Sequence, residues 1–180
     1  FILFALLASC LSLGLQAESY FEKTLKSAKG GNKFSQAHVG SMYVFGTDGA
    51  PKNLKMAAYW YGQSSKQGVA LAQYALAQMY YFGKGVAKNY KSAVYWYRKA
   101  AEQENAMAQF SLALMYDKGK GVPQDDKEAV KWYRKAAEQE NAMAQRNLGF
   151  MYEKGEGVPE DNKEAVKWYT KAAEQGDAVA

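Results

Sequence analysis

The chain has 180 residues, with 23 Lys and Arg against 18 Asp and Glu, a formal net charge of +5 and a pI near 9.1. At 48% hydrophobic residues it is too apolar for a disordered tail, and three Pro and 16 Gly exclude collagen-like and proline-rich classes. One Cys, Cys10, and one His, His38, exclude a disulfide framework and any Cys- or His-built metal site, so no metal or cofactor is expected.

Residues 1–17, FILFALLASCLSLGLQA, carry no charge. The run is shorter than the roughly 20 residues of a membrane span and fits the apolar core of a secretory signal whose basic leading segment is missing. Export to a periplasm or the extracellular space is therefore expected. Cleavage after Ala17 would leave a mature chain without Cys. Leu7-Ala8-Ser9-Cys10 offers a competing lipobox, with Cys10 lipidated, and only that reading ties the protein to a membrane.

The segment 18–31 reads as a degenerate capping helix, with Ser27-Ala28 where later units have paired alanines. From residue 32 the chain repeats. Trp60, Trp96, Trp132 and Trp168 recur every 36 residues, each followed by Tyr, and residues 105–140 share 26 of 36 positions with 141–176. The units are 32–68, 69–104, 105–140 and 141–176, with 177–180 starting a truncated fifth. Self-similarity at this period specifies stacked supersecondary units.

Each unit holds two helical patterns. Helix A places Ala108, Leu112, Met115 and Tyr116 on one face, and the same spacing recurs in every unit. A small residue follows the Leu position (Gly40, Ala77, Ala113, Gly149), where a neighbouring helix can approach closely. Loops such as Gly83-Lys84-Gly85 and Gly119-Lys120-Gly121 end helix A, while the fourth reads Gly155-Glu156-Gly157 and the first is one residue longer. Asn53, Asn89, Asp125 and Asp161 are N-caps of helix B, and Glu128 and Glu164 are expected to complete capping boxes. Helix B buries Ala129, Trp132, Tyr133, Ala136 and Ala137 and their equivalents. It closes on Gln-Gly at Gly68 and Gly176, where Glu104 and Glu140 replace the glycine and are expected to adopt positive φ. The fold class is all-α, a right-handed α-solenoid of antiparallel helix pairs.

The motif running from Ala144 to Tyr152, through Gly155-Glu156-Gly157-Val158 and Asp161, to Glu164–Gly176 resembles the Sel-one-like repeat, a relative of the tetratricopeptide repeat. The resemblance covers nearly all of residues 32–180. It implies an adaptor that organises protein complexes and recurs in secreted bacterial proteins, although eukaryotic endoplasmic reticulum members also exist. One Cys-rich branch is linked to β-lactam binding, and this chain lacks those Cys pairs.

Chemistry-bearing residues are sparse. His38 sits among solvent-facing positions of helix A with no partner that would make it a base. The Gly-Lys-Gly loops do not match a phosphate-binding loop, and Asp125-Asp126 lacks the ligand alternation of a calcium loop. Lys127, Lys131 and Lys135, repeated as Lys163, Lys167 and Lys171, read as a solvated stripe paired to nearby Glu, and no nucleic acid is expected. The leading reading is a non-enzymatic scaffold that binds a protein or peptide. The alternatives are a cell-envelope hydrolase or β-lactam-binding protein, and a lipid-anchored envelope structural protein.

The tetratricopeptide resemblance implies that helix A lines the concave face. By register its projecting residues are Phe34, Ala37, Ser41 and Val44; Leu71, Tyr74, Gln78 and Tyr81; Met107, Phe110, Leu114 and Asp117; and Met143, Arg146, Phe150 and Glu153. The binding groove is expected at Phe34, Leu71, Tyr74, Gln78, Tyr81, Met107, Phe110, Leu114, Met143, Arg146 and Phe150. The aromatics would anchor a partner and Arg146 would take an acidic side chain.

Overall fold

The computed structural model describes residues 18–176. The expected signal, the Cys10 lipobox and the start of a fifth repeat lie outside these residues. Among the described residues there are nine α-helices and no strand. They are α1 (Tyr20–Lys29), α2 (Lys33–Phe45), α3 (Leu54–Lys66), α4 (Ala70–Phe82), α5 (Tyr90–Ala101), α6 (Ala106–Asp117), α7 (Asp126–Glu138), α8 (Ala142–Lys154) and α9 (Asn162–Glu174). Each packs chiefly on the helix before and the helix after it. This nearest-neighbour stacking is the α-solenoid that the 36-residue period specifies. Helices α2, α4, α6 and α8 occupy the A position, and α3, α5, α7 and α9 the B position.

The repeat signatures become a continuous core. Ala108, Leu112 and Ala113 are fully buried, as are Ala129, Tyr133 and Ala136. Gly40 and Gly149 mark close helix crossings: a Cβ there would come within about 3 Å of the Tyr61 and Tyr169 rings. In the loops, the second glycine meets two demands at once. Gly121 has φ of 77°, and a Cβ on it would lie 2.6 Å from the Tyr90 carbonyl oxygen. The loops of repeats 2, 3 and 4 thereby rest on the start of the preceding helix B, at Leu54, Tyr90 and Asp126. Glu104 and Glu140 adopt φ of 63° and 62°, the left-handed conformation their alignment with glycine implies.

The expected capping boxes of helix B form by half. Asp125 accepts from the Glu128 backbone N–H at 3.0 Å, and Asp161 accepts from Glu164 at 3.1 Å. The return bonds are not made, because each N-cap N–H already donates to a carbonyl of helix A: Asp125 to Tyr116 at 3.1 Å and Asp161 to Tyr152 at 3.0 Å. The two carboxylates turn instead to Lys131 at 2.9 Å and Lys167 at 2.8 Å. A complete box does occur at Ser19 and Glu22, at the start of α1.

A buried glutamine ladder, unanticipated from the hydrophobic pattern, fixes the register between repeats. Gln36, Gln73, Gln109 and Gln145 are all buried on helix A. Their Nε2 groups donate to the carbonyls of Ala28, Ser65, Ala101 and Ala137 at the end of the preceding helix. Their Oε1 atoms accept from Gln67, Gln103, Gln139 and Gln175, which close helix B of the same repeat. Every repeat is thus tied both internally and backwards through one amide, which satisfies buried polar groups that would otherwise be costly.

Candidate partner-binding groove

The groove begins as a consequence of helix A geometry. Side chains that face neither the neighbouring repeat nor helix B project onto a common surface formed by α2, α4, α6 and α8. Between α4 and α6 this surface deepens into a hollow of about 410 Å³. Of the expected site residues, Tyr74, Gln78, Tyr81, Met107, Phe110, Leu114 and Met143 line it together. Phe34 and Leu71 lie outside it and are strongly exposed, at 66% and 65%. Arg146 and Phe150 also lie outside, on α8, beyond which no described helix A supplies a second wall.

Phe110 departs from the expectation of an exposed anchor. It is buried, because helix B places the Tyr133 ring 6.0 Å behind it. It forms floor rather than rim. The exposed aromatic at the hollow is Phe82, at 57%, the last residue of α4. Sequence register had not placed it on the projecting face. The signal was its position beside Tyr81, whose ring meets it edge-on at 4.9 Å.

Helix B also reaches the groove. Tyr97, buried by periodicity, passes its ring between α4 and α6 and lines the hollow 5.9 Å from the Tyr74 ring. Burial pushes the Tyr97 hydroxyl well above its ordinary range, reinforced by the nearby Tyr74 and opposed by a hydrogen bond to Ser111. Burial raises Tyr74 as well, against hydrogen bonds to Ser111 and Gln78. Gln78 Nε2 donates to the Tyr74 hydroxyl at 2.7 Å. The floor therefore carries neutral hydroxyls and an amide, groups able to bond a peptide backbone. The same tyrosine in the next two repeats is tied down by carboxylates: Tyr133 donates to Asp117 at 3.0 Å and Tyr169 to Glu153 at 2.9 Å.

The rim holds Lys118 and Lys120. Lys120 Nζ donates to the Tyr81 hydroxyl at 3.1 Å and lies over the Tyr81 and Tyr90 rings. That hydrogen bond holds its ammonium above the usual lysine range. A second hollow of about 340 Å³ between α2 and α4 contains Val44, Phe45, Tyr61 and Lys84 and shares Gln78 and Phe82 with the first. The two hollows flank α4 and adjoin at these two residues; together they are termed the channel.

His38 is exposed on α2 and meets Tyr20 edge-on at 5.7 Å. Among the described residues, no group of three or more His, Cys, Asp or Glu could hold a metal ion, and no helix is long and apolar enough to cross a membrane.

The Sel1 repeat model matches residues 33–69, 70–105, 106–141 and 142–177. The fold is similar to the crystal structure of a protective antigen of uropathogenic Escherichia coli that displays an SLR fold, with 39% identity and a TM-score of 0.84 over 87% of this chain and 33% of that one. A Sel1 repeat protein from Oxalobacter formigenes is 40% identical with a TM-score of 0.78, over 82% of this chain and 60% of that one. Cysteine-rich protein B of Helicobacter pylori is 25% identical with a TM-score of 0.56, over 71% and 92%. The chain thus spans a third and about three fifths of the first two relatives. No curated protein matches it.

Proposed function

The chain belongs to the Sel1 repeat family of protein-interaction scaffolds, and from that premise we propose that it holds a partner protein or peptide along its helix-A face. The observation that carries this reading is the hollow between α4 and α6. There exposed Phe82, Met107 and Met143 surround a floor of Tyr74, Tyr97 and Ser111. Exposed apolar surface concentrated in a concavity, with a few convergent polar groups, is the pattern of an interaction site. Methionines at its edge adapt to the shape of an occupant. The site supplies hydroxyls, thioethers and amines, and nothing in its geometry favours the hydrolase alternative.

Export is a second part of the proposal. It rests on the uncharged apolar run of residues 1–17, and mass spectrometry of the mature N-terminus tests it. A diacylglycerol adduct on Cys10 would replace cleavage after Ala17 by membrane attachment.

The face itself is tested by photo-crosslinking. A benzoylphenylalanine is placed at Phe82 on helix A or at Tyr95 on helix B, positions exposed to 57% and 55%. Partners crosslinked from Phe82 and not from Tyr95 support the groove. The reverse pattern moves the site to the helix-B face.

A further inference from the structure

We propose that the occupant of the groove is an acidic peptide segment, with an apolar anchor beside Phe82 and carboxylates that meet Lys84 and Lys120. The inference rests on the groove being the partner site and adds the chemistry of the partner.

The charge of the channel is one-sided. Its two hollows are lined by Lys84, Lys118 and Lys120 and by no carboxylate. Lys118 pairs with Asp117 at 3.1 Å and is neutralised locally. Lys84 and Lys120 have no carboxylate partner among the described residues. Their ammonium groups rest on aromatic rings instead, Lys84 5.3 Å from the Phe82 centroid and Lys120 5.4 Å from Tyr81. Elsewhere three lysines pair with acids: Lys131 with Glu128, Lys154 with Glu153 and Lys167 with Glu164. Lys84 and Lys120 thus bring positive charge to hollows whose lining holds no acid.

Their positions are set by the repeat. Each is the middle residue of a Gly-Lys-Gly loop, so they stand one repeat apart along the same edge. The fourth loop carries Glu156 at this place, and the longer first loop carries Asp48. Acidic ends and a basic centre confine an anionic segment to repeats 2 and 3. Between the two lysines lie Phe82, Gln78 and the tyrosine floor, which suit an apolar side chain and the backbone of the segment bearing it. A bare phosphate would use the lysines and leave this apolar stretch unfilled, which is why the channel assigns a peptide. Complementary charge at a rim sets orientation and partner choice, while the buried anchor supplies most of the affinity.

The test selects a random-peptide display library on the full chain and measures the selected peptides by fluorescence anisotropy. The proteins are the parent, Lys84→Glu with Lys120→Glu, Phe82→Ala, and Lys127→Glu with Lys163→Glu as a control on exposed helix-B lysines. Of the five substituted positions Phe82, Lys84, Lys127 and Lys163 are exposed and Lys120 is half-buried, and circular dichroism checks the fold. Expected are peptides with Asp or Glu flanking an aromatic or aliphatic residue. Their affinity should fall with salt, fall about tenfold or more in the Lys84/Lys120 reversal, and stay unchanged in the control. Lys-substituted peptides should gain affinity for the reversed protein. Neutral or basic selected peptides, or acidic ones indifferent to the reversal, overturn the acidic assignment; if Phe82→Ala still abolishes their binding, the groove survives. Selection of no peptide, or of peptides indifferent to both Phe82 and the loop lysines, overturns the assignment and the groove together.

Discussion

Gln109 Oε1 accepts a hydrogen bond from Gln139 Nε2 at 2.7 Å, joining the fully buried Gln109 at the start of α6 to the exposed Gln139 at the end of α7. The same Gln109 amide donates to the Ala101 carbonyl at 3.2 Å, so one side chain links two repeats. Gln109→Ala leaves the buried Ala101 carbonyl without its side-chain donor and the Gln139 amide without its acceptor, and only the latter can turn to water. The expected loss is about 1–3 kcal/mol, the cost of one buried partner left unsatisfied. Urea unfolding measures it, and an unchanged midpoint would mean that the ladder contributes nothing to register or stability.

Glu104 and Glu140 hold left-handed backbone at φ of 63° and 62°, where Gly68 and Gly176 stand in the other repeats. Replacing each by Gly relieves a strain of about 1–2 kcal/mol and adds about 0.5–1 kcal/mol of unfolded-state entropy, so each change is neutral or stabilising by up to about 1 kcal/mol. Thermal melts of the single and double variants check this. A clear fall in midpoint would contradict it.

Gly121→Ala is expected to destabilise by about 2–3 kcal/mol or more, because it combines positive φ with a Cβ forced into the Tyr90 backbone. Gly68→Ala is its control, with positive φ and open space around the position. The difference between the two in denaturant unfolding isolates the packing between repeats. Equal losses would show that the loop does not bear on the preceding helix.

Alkaline pH should unfold the array through its helix-B tyrosines. Tyr169 is pushed up from 10.0 to about 12 by burial and by its hydrogen bond to Glu153, and Tyr97 and Tyr133 shift in the same direction. A raised folded-state value favours the protonated form in the native protein. The stability this provides is complete below pH 10 and is lost as pH rises from 10 towards 12 for Tyr169. Stability measured against pH should be level near pH 9 and fall across that window, less steeply in Tyr169→Phe. An identical slope in that variant would contradict the assignment.

The period, the helix pairs, the caps and the left-handed glutamates were legible because each is a local pattern repeated in register. What escaped was set by contacts between helices. The capping boxes at Asp125 and Asp161 looked complete locally, yet the required N–H groups are claimed by Tyr116 and Tyr152 from the preceding helix. Phe110 projected correctly from helix A, but periodicity gives direction and not depth, and Tyr133 fills the space behind it. Tyr97 read as core and is core, although its far end reaches the groove. The glutamine ladder was hidden by its polarity: a search for apolar faces passes over Gln36, Gln73, Gln109 and Gln145, whose recurrence at one repeat position was the available signal.

The most direct test of the central claim is hydrogen–deuterium exchange of the full chain with and without a bound partner. The account predicts slowed exchange in α4 and α6 and in the loops bearing Lys84 and Lys120, with the outward faces of α5 and α7 unchanged. Protection confined to α5 and α7, with α4 and α6 exchanging as in the free protein, would contradict it.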